Sequence, residues 1–128
     1  MISLHGKQSI LWKEGLSIKV GIQTWGSNGD IRPFLALAGG VSAAGHDVTL
    51  AYTSEKNPSF QALAEQLHFK LIRVFDEEFE VPPDFLERLF GKPIQHQIKC
   101  VMDELFLPAW EEMLSAAHQL CQENDVVI

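Results

Sequence analysis

A strand, a glycine-rich turn and a helix follow one another directly in this sequence, and that order constrains the fold more than any other feature. Residues 17–24 (SIKVGIQT) alternate apolar and polar side chains, as a strand does. Residues 25–31 are rich in glycine and small polar side chains, which predicts a loop. Residues 32–44 carry apolar side chains at helical spacing, namely Phe34, Leu37, Ala38 and Val41.

The ends of this first helix are marked by residues with known positional preferences. Asp30 is the predicted N-cap, Pro33 suits the first turn, and Gly45 predicts a left-handed C-cap. Gly39 and Gly40 lie inside the helix, where each costs about 1 kcal/mol relative to alanine. We therefore expect the helix to approach a neighbouring sheet closely at these two glycines.

The same alternation of strands and helices continues along the chain. Strands are predicted at 47–52, 69–74 and 125–128, and helices at 58–67, 85–90 and 94–122, the last with a break near Pro108. Strands separated by helices form βαβ units, so we predict an α/β fold, a Rossmann-like parallel sheet with flanking helices that stops near its fourth strand. We predict one domain over residues 17–128, whereas residues 1–16 fit no element and are interpreted as an extension.

Composition excludes several classes of protein. The chain has 128 residues, of which 46% are hydrophobic, as a globular domain requires, and no apolar run approaches the ~20 residues of a membrane span. Residues 1–75 hold seven basic and five acidic side chains, whereas residues 76–128 hold three and twelve. This acidic second half argues against a nucleic-acid partner, which requires clustered lysine and arginine.

Cysteine and histidine give no sign of a metal site. Cys100 and Cys121 are far apart and form no CxxC pair, which indicates ordinary thiols in a reducing, cytoplasmic location. No HExxH motif occurs, so we expect no bound metal and no cofactor. His46 follows the end of the first helix and is interpreted as structural.

Residue types that can carry chemistry gather in one segment, residues 26–30, which we call the glycine turn: Gly26, Ser27, Asn28, Gly29 and Asp30. Ligands of open α/β sheets bind at the carboxyl ends of strands, beside such turns. The segment lacks the Gly-Lys-Ser/Thr ending of a P-loop, and GxxG is only part of a GxGxxG fingerprint. A carboxylate at the helix N-terminus also repels phosphate. Two interpretations stay open: a ligand site, or a tight turn in which the carboxylate only caps the helix.

A dinucleotide-binding domain is a third, separate hypothesis. Glu55 lies 26 residues after Gly29, near the offset at which an acidic side chain binds a ribose in such domains. The missing third glycine counts against this hypothesis.

Two longer segments resemble the amino terminus of GT-B-fold glycosyltransferases, in the group of sterol glucosyltransferases and bacterial antibiotic glycosyltransferases. The segments are residues 24–38 (TWGSNGDIRPFLALA) and 44–51 (AGHDVTLA). The family pattern is a strand, then G-[ST]-x-G-D-x-x-P, a helix, and a G-H-x-V second strand. The resemblance covers about residues 18–75.

This resemblance implies a function and a role for each turn residue. It implies transfer of a sugar from a nucleotide donor to a hydroxyl of a lipophilic acceptor, with the acceptor held by the amino-terminal domain and the donor by a second domain. It implies that Asp30 is the general base and that the loop from Gly26 to Gly29 lets the substrates approach the backbone. Trp110 could line an acceptor pocket or belong to the core, together with Phe106, Leu107, Met113 and Leu114.

The donor-binding half of such an enzyme has no counterpart in these 128 residues. We therefore expect the chain alone to be inactive, and a non-catalytic binding or assembly module is the alternative. We also expect a homodimer, because an apolar last strand at 126–128 would leave an open sheet edge.

Overall fold

The computed structural model describes residues 17–54, 59–75 and 83–128, and its centre is a parallel sheet. The strands are β1 (Lys19–Trp25), β2 (Asp47–Thr53), β3 (Lys70–Arg73) and β4 (Val126–Val127). They hydrogen-bond in the order β3-β2-β1-β4, and every neighbouring pair is parallel. The predicted α/β, Rossmann-like class is confirmed. The extension at 1–16, Glu55 and residues 76–82 lie outside the described residues.

Five α-helices connect and cover these strands in the described part of the chain. They are α1 (Asn28–Ala43), α2 (Gln61–Leu67), α3 (Phe85–Leu89), α4 (Ile94–Val101) and α5 (Trp110–Glu123). A π-helical segment (Met102–Phe106) and a 3-10 turn (Leu107–Ala109) separate α4 from α5. Pro108 lies in that 3-10 turn, so the break predicted there is confirmed; proline has no N–H to continue an α-helix.

The two faces of the sheet have different coverings. On one face, α1 and α2 close the main core, which includes Val20 and Ile22 of β1. On the other face lies α5, and Gly21 lets its carboxyl end come close, because a Cβ there would stand 3.4 Å from Leu120 Cβ and 3.0 Å from Nδ2 of the C-cap residue Asn124. Gln23 faces the same helix and donates its side-chain amide to the Met113 carbonyl at 2.8 Å. Strand β1 is therefore covered on both faces, as expected for a central parallel strand.

Helix α1 ends as its sequence predicts. Gly45 has a φ of +97°, a left-handed conformation that suits glycine. Its N–H donates to the Ser42 carbonyl at 2.9 Å, and the next N–H, that of His46, donates to the Val41 carbonyl at 3.4 Å. These two bonds form a Schellman motif, so the predicted left-handed termination at Gly45 is confirmed.

The close approach predicted for Gly39 and Gly40 involves a helix and not the sheet. A Cβ at Gly39 would lie 2.9 Å from Cδ1 of Leu67 in α2, whereas a Cβ at Gly40 would meet nothing within 4 Å. Helix–helix packing therefore requires the first glycine only. The prediction of a sheet contact was wrong because sequence periodicity places a residue on a face without identifying the element that covers that face.

Substitution of the two glycines by alanine should have different effects. We expect Gly40→Ala to raise the free energy of unfolding by about 0.8–1 kcal/mol, since it adds helix propensity in open space. Gly39→Ala gains the same propensity but crowds Leu67, so we expect it to be less stable than Gly40→Ala by at least about 1 kcal/mol. Urea unfolding of the two variants beside the parent chain measures the difference. Equal stabilisation by both would contradict the close contact.

Strand β4 forms one edge of the described sheet. Ile128 donates its N–H to Gly21 and accepts from the N–H of Gln23, while Val126 and Val127 are both exposed. An apolar edge of this kind favours pairing with another strand. Homodimer formation through it stays a prediction.

Candidate functional site

The glycine turn lies where the connections of the sheet change direction. From β1 the chain moves to β2 and β3 on one side, and it returns to β4 on the other side of β1. In open α/β sheets this reversal opens a crevice at the carboxyl ends of the strands, and ligands bind there. Gly26 and Ser27 directly follow β1 at that end. The fold therefore places the glycine turn at the position where ligands bind in related architectures.

Ser27, and not Asp30, is the N-cap of α1. Ser27 has an extended backbone, α1 begins at Asn28, and Asp30 occupies the third helical position. The Ser27 N–H donates to Asp30 Oδ2 at 2.9 Å, and the Ser27 hydroxyl donates to the same oxygen at 2.8 Å. The predicted N-cap role of Asp30 was wrong. The pattern of a serine followed three residues later by an acidic side chain is the sequence signal of this capping box.

Gly26 is required by the position of the Asp30 side chain. Its φ is +143°, and a Cβ there would stand 2.6 Å from Asp30 Oδ2 and 2.7 Å from Asp30 Cβ. Its N–H donates to the Thr53 carbonyl at 3.0 Å, which ties the turn to the end of β2. Gly29, by contrast, lies in the first turn of α1, where an added Cβ would come no closer than 3.9 Å to the Ser27 hydroxyl. The two glycines of the motif therefore have different roles.

Hydrogen bonds from Ser27 lower the pKa of Asp30. The Ser27 main-chain N–H is the larger cause and the Ser27 hydroxyl the smaller cause of a pKa below the usual aspartate value of 3.8. The carboxylate is exposed and stands in the first turn of α1, where the helix dipole also favours negative charge. Asp30 is therefore ionised at neutral pH. Both bonds end on Oδ2, and Oδ1 accepts no hydrogen bond from the described residues.

Aromatic rings stand beside the turn on the α5 face of the sheet. Trp25, the last residue of β1, contacts Phe106 edge to face with ring centroids 5.3 Å apart. Phe106 contacts Trp110 at the same centroid distance. We call Trp25, Phe106 and Trp110 the aromatic group. Trp110 is 43% exposed, so one ring of the group faces solvent.

The other apolar residues predicted near this site divide between core and surface. Met113 is buried in α5, whereas Leu107 and Leu114 are exposed. Sequence reasoning missed Trp25 as a site residue. Its place at the end of a strand, immediately before Gly26, was the available signal.

The remaining predicted residues lie away from the turn. His46 accepts a hydrogen bond at Nδ1 from the Ile18 N–H at 3.3 Å, a contact that supports its structural interpretation. Within residues 17–54, 59–75 and 83–128, no group of three or more His, Cys, Asp or Glu side chains could hold a metal ion. In those same ranges no helix combines the length and the apolar character needed to cross a bilayer.

Comparison with known proteins gives a likeness to solved structures. No protein-family model matches the chain, and no curated protein matches it either. Among solved structures, the chain is similar to the one titled "Crystal structure of TcCGT1 in complex with UDP", with 19% identity and a TM-score of 0.45. The match covers 78% of this chain and 21% of that protein, so this chain spans about a fifth of its length. The assignment to the α/β class rests on the observed parallel sheet and not on this likeness.

Alanine substitution should distinguish the two glycines of the turn. We expect Gly26→Ala to lower the free energy of unfolding by about 1–3 kcal/mol, because it strains a positive φ and displaces the Asp30 side chain. Gly29→Ala is the matched control, and we expect it to leave stability unchanged or to raise it by up to about 1 kcal/mol. Denaturant midpoints of both variants provide the measurement. If Gly26→Ala is as stable as the parent chain, the Asp30 carboxylate does not lie against Gly26.

The lowered pKa of Asp30 predicts a dependence of stability on pH. A carboxyl whose folded pKa lies below its unfolded pKa stabilises the fold above the unfolded value, and this contribution disappears as pH falls through the folded pKa. Asp30→Asn retains an oxygen that can accept from Ser27 but does not titrate. We expect the parent chain to exceed this variant in urea midpoint by a constant margin above about pH 5, and by a shrinking margin below the usual aspartate value. An identical margin at pH 7 and pH 3 would refute the assignment.

Proposed function

We propose that residues 17–128 are the acceptor-side, amino-terminal domain of a glycosyltransferase. The reaction is transfer of a sugar from a nucleotide donor to a hydroxyl of a lipophilic acceptor, in the cytoplasm. The observation that carries this proposal is the glycine turn, a segment with the glycosyltransferase-like pattern that closes β1 at the reversal point of the sheet. A Rossmann-like sheet alone hosts many functions, so the proposal depends on this site.

Asp30 is the proposed general base. Its carboxylate is ionised at neutral pH, and Oδ1 is the oxygen that the capping bonds leave for a substrate. As the acceptor oxygen forms its bond to the anomeric carbon, the bond from that carbon to the nucleotide phosphate breaks and the hydroxyl proton passes to Oδ1. The low pKa makes Asp30 a weak base, so this proton moves when bond formation has made the hydroxyl more acidic. Ser27 holds the carboxylate in place throughout.

The aromatic group is the proposed wall for the apolar part of the acceptor. It begins at Trp25, the residue that precedes Gly26, so an acceptor lying on it can bring its hydroxyl toward the turn. Flat apolar ligands pack well on aromatic faces, and polar groups at one end then fix their orientation. The turn residues from Gly26 to Gly29 carry short side chains or none, which permits approach to the backbone.

The nucleotide sugar requires a second domain. In the family that the turn resembles, the carboxy-terminal domain binds the donor, and catalysis depends on holding both substrates together. We therefore propose that the 128-residue chain transfers no sugar by itself. Turnover of a UDP-sugar by this chain, above a heat-killed control, would refute that statement.

A non-catalytic binding or assembly module is the second candidate function. It is favoured by one observation, that both hydrogen bonds of Asp30 serve the capping box of α1. A residue with a purely structural role would make the same bonds.

The two candidates differ in the effect of Asp30 on turnover. The experiment joins the chain to a donor domain, from the parent gene or by fusion, and compares the parent enzyme with Asp30→Asn and Asp30→Ala. If Asp30 is the base, Asp30→Asn should fold normally, bind acceptor and turn over about 10²–10⁴-fold more slowly. If Asp30 only completes the capping box of α1, Asp30→Asn should stay within a few-fold of the parent enzyme, while Asp30→Ala lowers the melting temperature.

A further inference from the structure

A histidine and a cysteine stand side by side on α4, away from the glycine turn. Nε2 of His96 lies 3.5 Å from Sγ of Cys100, four residues further along the helix. Side chains four residues apart lie on one face of a helix, and HExxH, the motif absent from this sequence, uses the same spacing for its two zinc ligands. Imidazole nitrogen and thiolate sulfur are both ligands that zinc prefers.

The separation of these two atoms fits a single metal ion. Zinc bonds lie at about 2.3 Å to sulfur and about 2.0–2.1 Å to histidine nitrogen, so ligand atoms 3.5 Å apart subtend an angle of about 107° at the metal. This angle is close to that of a tetrahedron, the geometry of structural zinc sites. Two side chains of one helix therefore form half of a tetrahedral site.

This half-site is open to solvent in the described part of the chain. His96 is exposed, Cys100 is half-buried, and no residue of α4 is buried. A metal ion can therefore reach both ligand atoms without displacing a core side chain. The exposed ring of His96 also has room to turn its Nε2 lone pair toward the metal.

The carboxylates that follow α4 in the chain are engaged with cations. Asp103 accepts from Lys99 Nζ at 2.7 Å, and Glu104 accepts two hydrogen bonds from the Arg88 guanidinium at 2.6 and 3.1 Å. These ion pairs also offset the two positive charges that act on the Cys100 thiol. Among the described residues no group of three or more side chains could hold a metal ion, so the pair on α4 stands as two ligands of the four that zinc takes.

We propose that His96 and Cys100 of two copies of this chain bind one zinc ion between them. A two-fold axis through the metal makes the two contributions identical, as an isologous interface requires, and completes a Cys2His2 set. Each thiol releases its proton to solvent as its sulfur bonds to zinc, so the two thiolates balance the charge of Zn²⁺. This pairing involves α4 and not the edge at β4, and it does not rest on the proposed function.

Two variants remove the ligands, and a third is the matched control. Cys100→Ser removes the sulfur and keeps the size, and His96→Gln removes the imidazole. Cys121→Ser is the control, because Cys121 is an exposed thiol on α5 with a histidine three residues before it, His118, whose Nε2 instead lies 3.2 Å from Nε2 of Gln122. The 128-residue chain is used with a phosphine reductant, so that no disulfide forms, and equal melting temperatures without metal confirm that each variant folds.

Co²⁺ serves as a spectroscopic probe, and Zn²⁺ as the metal for affinity and mass. We expect the parent chain to bind one Co²⁺ per two chains, with a sulfur-to-cobalt charge-transfer band and the visible absorption of a tetrahedral ion. Zinc should double the mass that light scattering gives for the metal-free chain, and EDTA should reverse the change.

The variants should separate the two cysteines. Cys100→Ser should abolish the charge-transfer band. It and His96→Gln should each weaken zinc binding more than about tenfold, because loss of a ligand costs at least as much as loss of the ligand's hydrogen-bond partner. Cys121→Ser should match the parent chain in band, affinity and mass.

Four results would overturn the inference: cobalt bound without the sulfur band, one metal per chain, no change of mass on adding zinc, or Cys100→Ser that binds metal as the parent chain does. None of these measurements involves sugar transfer. Failure of the proposed function shows instead as an absence of Asp30-dependent turnover in the two-domain enzyme, so the two failures are distinguishable.

Discussion

The burial of β1 on both of its faces is the constraint on which the rest of the structure depends. Val20 and Ile22 pack into the core beneath α1 and α2, whereas Gly21 and Gln23 meet α5. A strand in the centre of a parallel sheet has no solvent face, so its neighbours and its covering helices are fixed together. The direction in which β1 ends is fixed as well, and with it the position of Gly26 at the carboxyl edge.

The turn itself is held by one side chain, that of Asp30, which makes three contacts. Asp30 Oδ2 accepts two hydrogen bonds from Ser27, and the Asp30 side chain fills the space that a Cβ at Gly26 would need. The end of the strand and the start of the helix are thereby joined through a single side chain. A change at any of the three residues disturbs the other two, so substitutions within the turn should not be additive.

Local features of the fold could be predicted from sequence because their causes are local. The left-handed glycine at 45 and the break at Pro108 each depend on a residue and its near neighbours. The apolar face predicted for α1 was partly wrong, because Leu37 is exposed and the helix buries Ile31 and Leu35 beside Ala38. The strand order β3-β2-β1-β4 could not be predicted in this way, because it depends on the edge of the sheet to which the returning chain adds β4. Alternating elements predict a parallel sheet without giving that order.

The glycine turn was predictable in position and only partly in detail. The pattern of glycines predicted a turn directly after β1. The roles of Ser27 and Asp30 were predicted the wrong way round: Ser27 is the N-cap, and Asp30 is its partner in the capping box. Trp25 and Phe106, which are in contact, lie far apart in the sequence. The Thr53 hydroxyl, which has no hydrogen-bond partner among the described residues, becomes visible only when burial is known. Long-range contacts and unsatisfied polar atoms are properties of the packed molecule and leave no period in the sequence.

The two hydrogen bonds from Ser27 have opposite effects on the proposed catalytic role of Asp30. They stabilise the carboxylate, which weakens it as a base, and they also fix one of its oxygens so that the other has a defined direction. A general base gains from a pKa near the working pH, but it gains at least as much from a fixed position relative to its substrate. A reaction in which the attacking hydroxyl becomes acidic as its bond forms tolerates a weak base and still requires a well-placed one. The same contacts that start α1 would thus orient the oxygen that the proposed mechanism assigns to the proton.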